Sequence, residues 1–133
     1  MRHEPDAANL LAAARDVLRD SIIPGLSGAA RYDALMVANA VAIAARQIAA
    51  GDRPLEEARE RLAALYGAPD ATLAELEDRF ARDLRAGVFD APSEARAAAF
   101  DHLWKASCST AAESNPKALR LPRVSHEGGP ELT

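Results

Sequence analysis

The chain has 133 residues, 49% of them apolar, 27% charged and 5% aromatic, with 16 basic and 20 acidic groups giving a formal charge of −4. Thirty-two of the apolar residues are alanine, and Leu, Ile, Val and Phe together number only 27, near the lower limit for a globular core. Seven glycines and few β-branched runs argue against sandwiches, barrels and Rossmann-type sheets, and the acidic balance argues against nucleic acid as a partner.

Asp6 precedes apolar positions Leu10, Leu11, Ala14, Val17, Leu18 and Ile22. They fall on one face of a first helix that Asp6 caps and Pro24-Gly25 ends. Residues 25–28 form a connection short enough to turn the next helix back antiparallel. That second helix is predicted over 29–50, with Gly51 as its stop. Its segment 34–45 contains one polar residue, Asn39, among twelve. At ~1.5 Å per residue the segment covers roughly 18 Å, short of the ~30 Å hydrocarbon core of a bilayer. A helix apolar on every side but too short to span is expected to be buried on every side. This places it at the bundle centre, with Ala38, Ala42 and Ala45 admitting close neighbours, and no membrane association is expected.

Asp52-Arg53-Pro54 opens a third helix with an apolar stripe of Leu55, Ala58, Leu62 and Leu65, closing at Tyr66-Gly67. Thr72 and Glu75 have the spacing of a capping box. The fourth helix behind them carries Leu73, Leu76, Phe80 and Leu84 inward and stops at Gly87. Glu75/Arg79 and Asp78/Arg82 are expected as i,i+4 pairs on its outer side, and Val88-Phe89 is expected beneath the bundle. A fifth helix opens within 90–93 and runs to about Ser114, offering Phe100, Leu103, Trp104, Cys108 and Ala111 for burial. Asn115-Pro116 ends it. Residues 116–133 show no sustained periodicity and read as a flexible C-terminal tail. The predicted fold is all-α: a compact antiparallel bundle of about five helices over residues 1–115, with the second helix buried at its centre.

Few residues point to chemistry. His3, His102 and His126 lack the paired spacing of zinc ligands, no Glu-x-x-His motif marks a di-iron bundle, and the glycines form no phosphate-cradling loop. No metal or cofactor is expected. A lone Cys108 and a polar N-terminus without an apolar h-region fit a cytoplasmic protein. Asn39 would cost about 1–3 kcal/mol if buried without partners. It is therefore expected either to fix helix register or to line a small pocket in the bundle interior, where an acyl or aromatic ligand would sit. Leu103 and Trp104 are candidate interface residues for a homodimer, since a bundle so poor in large side chains gains from burying more surface.

Arg96, followed six residues later by His102, resembles the Arg-x(4–6)-His motif of the HEPN ribonucleases, small helical bundles that usually dimerise. The resemblance implies His102 as general acid or base and Arg96 as the phosphate holder, in a metal-independent ribonuclease. Six helical steps turn about 600°, which leaves the two side chains about 120° apart. Ala97 also stands where those enzymes usually carry a polar residue. The alternative is a solvent-facing Arg96 and a partly exposed His102 beside an Asp101/Lys105 pair.

Three stretches together resemble another family: Leu10 through Arg19 ending at Ile23-Pro24, Val37-Ala38-Asn39-Ala40-Val41-Ala42-Ile43, and Asn115-Pro116. The chain is similar to an uncharacterised bacterial family of small helical domains found beside, or fused to, aminoglycoside-phosphotransferase-like kinases, often in operons with acyl-CoA dehydrogenases. The resemblance spans roughly residues 4–117 and brings no catalytic residues. Asp33 follows Tyr32 where the family tends to have histidine, and Thr110 stands five residues before Asn115 where it tends to have lysine. The resemblance implies a non-catalytic accessory module that binds a protein partner, such as a phosphotransferase-like kinase.

Overall fold

The structure, a computed structural model, describes residues 5–120. Five α-helices account for most of it: α1 (Ala7–Val17), α2 (Gly28–Ala50), α3 (Arg53–Tyr66), α4 (Leu73–Arg85) and α5 (Glu94–Ser114). There is no strand among the described residues, so the all-α bundle expected from the sequence is borne out. The helix ends follow from local chemistry. The Asp6 carboxylate accepts from the Asn9 amide at 2.8 Å and the Ser93 hydroxyl from the Arg96 amide at 3.0 Å, each satisfying an orphan donor. The Thr72–Glu75 capping box is complete. Gly67, at φ 60° and ψ 35°, ends α3 in the left-handed conformation that glycine adopts without steric cost.

Between α1 and α2 the chain stays helical but changes pitch, through a π-helical turn (Leu18–Ile22) and a 3-10 turn (Ile23–Gly25). The Arg31 guanidinium donates to the Ile23 carbonyl at 3.0 Å, tying this corner to α2. After α5, Pro116–Arg120 forms a further 3-10 turn. The rest of the expected tail, with His126, lies outside the described residues, as does His3.

The core lies in the C-terminal half. Leu62 and Ala63 of α3, Leu76 and Phe80 of α4, Phe89 of the α4–α5 connection and Ala99 of α5 form one buried cluster. The Phe80 and Phe89 rings are 5.6 Å apart and tilted by 45°, a favourable aromatic arrangement. α3 packs on α4 and α5, whereas α1 packs along α2 and α2 reaches α5. A three-helix unit thus carries an antiparallel α1–α2 hairpin.

Several expectations are corrected. α2 is not the buried centre: only Ala38 and Ala42 are buried, while Tyr32, Leu35, Met36, Val37 and Ile48 are each about half exposed or more. The small residues admit α1 on one side, and no element among the described residues covers the other. In α5 the buried residues are Ala99 and His102, while Phe100, Leu103 and Trp104 are exposed. Phe89 is buried as expected, but Val88 is exposed. On α4 the expected charge pairs give way to others. Glu75 is held by Thr72, Arg79 lies 3.9 Å from Asp83 and 4.1 Å over the Tyr66 ring, and Arg82 donates to the Asp78 carbonyl.

Candidate functional site

A cleft of about 470 Å³ opens where the end of α1, the middle of α2 and the end of α5 meet. Arg15 and Arg19 reach it from α1 and the π-helical turn, Asn39 and Arg46 from α2, and Ser114, Asn115 and Lys117 from the end of α5 and beyond. Leu35, Ala38, Ala42 and Pro116 supply an apolar wall. Among the described residues, four cations line the cleft and no carboxylate does, in a chain with an excess of acidic groups. Arg46 is half-buried and donates through Nε to the Glu113 carbonyl, which fixes the end of α5 against α2. Arg15, Arg19 and Lys117 make no ion pair among the described residues.

Asn39 therefore sits elsewhere than expected. It is exposed at the cleft rather than enclosed in a bundle interior, because α1 and the end of α5 flank that part of α2 without closing over it. The stretches that carried the second family resemblance converge here through Arg15, Arg19, Ala38, Asn39, Ala42, Asn115 and Pro116. Sequence reasoning missed the two arginines. The available signal was an i,i+4 pair of like charges, which costs a few tenths of a kcal/mol on an isolated helix.

The second feature is the outer face of α2. Val37, Val41, Ala44 and Ile48 recur at i, i+4, i+7 and i+11, the spacing of a helix-pairing seam. Val37 and Ile48 are exposed and Val41 and Ala44 half-buried, while Tyr32, Met36 and Ile43 lie on another side of the helix, roughly 110–150° around from the stripe. With 23 residues and an 18-residue window of mean hydropathy 1.2, α2 is long and apolar enough to cross a membrane by length and composition alone. The whole helix reaches about 34 Å, further than the apolar segment 34–45 considered from the sequence. It contains Arg31, Asp33 and Arg46 and packs along α1.

Arg96 and His102 are engaged by different parts of the fold. The Arg96 guanidinium donates to the Phe89 carbonyl at 2.7 Å and the Asp90 carbonyl at 2.9 Å, and lies 4.7 Å over the Phe100 ring. It thus holds the α4–α5 connection. His102 is buried, not partly exposed, with its ring edge-on to Phe80 at 5.1 Å. The neighbouring Asp101–Lys105 pair is present at 2.8 Å. Burial, then the nearby Arg61 charge, lowers the His102 pKa below 6.5, and Asp101 opposes the shift. A base whose folded pKa is depressed binds its proton more readily when unfolded. Its contribution to stability is complete above about pH 6.5 and is lost as pH falls through that value toward the folded pKa. Urea midpoints should fall between pH 7.5 and 5, and His102→Leu should flatten that part of the profile. An unchanged profile in the variant would remove His102 as the cause.

Leu103 and Trp104 are 36% and 52% exposed. Trp104 and Cys108 line a separate cleft of about 590 Å³ between α3 and α5, where Arg53, Arg61 and Lys105 are accompanied by two carboxylates, Glu57 and Glu113. Among the described residues, no group of three His, Cys, Asp or Glu side chains is placed to hold a metal ion.

No curated protein and no solved structure matches the chain. A family model, "Domain of unknown function (DUF6285)", matches residues 24–118, from the corner before α2 to the turn after α5. This stretch covers more than half of the chain and includes most of the cleft. The chain belongs to the DUF6285 family.

Proposed function

We propose that this chain is a non-catalytic accessory module that seats a protein partner, a phosphotransferase-like kinase, on the outer face of α2. The observation that carries the reading is the uncovered apolar face. Five large apolar side chains are buried in the described residues (Ile23, Leu62, Leu76, Phe80, Phe89), whereas fifteen are exposed. Exposed apolar surface that is contiguous rather than scattered marks an interaction site, and a heptad-spaced stripe suits a helix of a partner. The choice of kinase and a bacterial setting rest on the family resemblance read from the sequence, and a cytoplasmic setting on the lone Cys108 and the polar N-terminus.

Co-expression with the phosphotransferase-like kinase of the same genome, followed by size-exclusion chromatography, tests the reading. A 1:1 complex is expected. Separate elution at tens of micromolar, or association with lipid vesicles in place of the kinase, would overturn it. A second reading, a homodimer through α5, is favoured by Phe100, Leu103 and Trp104 lying exposed at i, i+3 and i+4. Sedimentation of the free chain reads it directly: a species of 14.1 kDa at every micromolar concentration would remove the dimer.

A further inference from the structure

We infer that the cationic cleft between α1, α2 and the end of α5 binds a small phosphorylated organic molecule. The charge pattern is the first argument. Among the described residues, Arg15, Arg19, Arg46 and Lys117 face one space with no carboxylate in its lining, although acidic side chains outnumber basic ones in the chain. The cleft at α3 and α5 shows the contrast. There Arg53 is paired with Glu57 at 3.4 Å, and Lys105 with Asp101. Gathering like charges without a counter-ion raises the energy of the empty site, and a bound anion relieves it. The α1 helix end favours a nearby cation, but only by a fraction of a kcal/mol, too little to account for four.

The geometry narrows the class of anion. Arginine forks match phosphate and carboxylate oxygens with paired hydrogen bonds, and four cations suit a dianion or trianion better than a single carboxylate. A volume of about 470 Å³ lies within the range of small-molecule sites and exceeds what inorganic phosphate fills. The wall of Leu35, Ala38, Ala42 and Pro116 can cover an organic body, with the Asn39 and Asn115 amides free to donate to it or accept from it. Arg46, fixed by the Glu113 carbonyl, keeps one guanidinium in place before the ligand arrives. The site is independent of the α2 outer face, so its test does not depend on the kinase.

Calorimetry on the full chain at low salt, with phenyl phosphate, inorganic phosphate and benzoate as probes, separates the possibilities. Phenyl phosphate should bind saturably and more tightly than either of the others, because only it carries both the dianion and the ring. Arg15→Gln with Arg19→Gln should weaken it about ten- to hundredfold, as expected for charge-assisted hydrogen bonds. Asn39→Asp should weaken it too, by placing a carboxylate in the cleft at constant volume. Arg85→Gln, on α4, should leave binding unchanged, and circular dichroism should show all variants equally helical. No saturable binding of phenyl phosphate below about 10 mM, equal binding of benzoate, or equal loss in Arg85→Gln would each overturn the proposal.

Discussion

Leu62→Ala is expected to lower the unfolding free energy by about 3–4 kcal/mol, within the range for leucine truncations that leave a cavity. Leu62 is fully buried, in one cluster with Leu76, Phe80, Phe89 and Ala99, so α3, α4 and α5 all meet around it. Only five large apolar side chains are buried among the described residues, and a domain of this size is stable by about 5–15 kcal/mol in all. One truncation therefore removes a large share of the total. Urea unfolding followed by circular dichroism checks it. A loss below about 1 kcal/mol would place the core elsewhere.

The opposite behaviour is expected on α2. The double variant Val37→Glu, Ile48→Lys should lose kinase binding by at least about a hundredfold. Each side chain would otherwise contribute about 1.5–3 kcal/mol on burial, and each replacement carries a charge that the interface would have to desolvate. Val37 is 51% and Ile48 50% exposed, so neither substitution opens a cavity in the free chain. Glutamate and lysine are also good helix formers. Titration of the kinase with wild type and the double variant reads the effect, and equal affinities would move the docking surface off α2.

The sequence was legible where a local pattern decides the structure. α4 is the plainest case: of the four residues its apolar spacing turns inward, Leu76 and Phe80 are buried, Leu73 is half-buried and Leu84, near the helix end, is exposed, while the Thr72–Glu75 pair fixes its start. The starts of α1 and α3, with Asp6 and Pro54, follow in the same way. α2 was misread for a definite reason. A helix apolar all round must lose its contact with water, but periodicity alone does not say whether its own chain or another covers it. The α5 aromatics were misjudged similarly: Ala99 and His102 occupy the inner face, and Phe100 and Trp104 lie outside it. The cleft was legible only in fragments. Asn39 and Asn115 stood out singly, but Arg15 and Lys117 are about a hundred residues apart in the chain and meet only because α1 folds back on α2 beneath the end of α5.

The free energy of unfolding of Val37→Glu, Ile48→Lys, measured in urea beside the parent chain, decides most directly whether the second helix has an open side. A change within about 0.5 kcal/mol per site is predicted, as for solvent-facing positions. A loss of several kcal/mol would mean that these side chains belong to the interior, and would contradict both the open hairpin and the docking surface built on it.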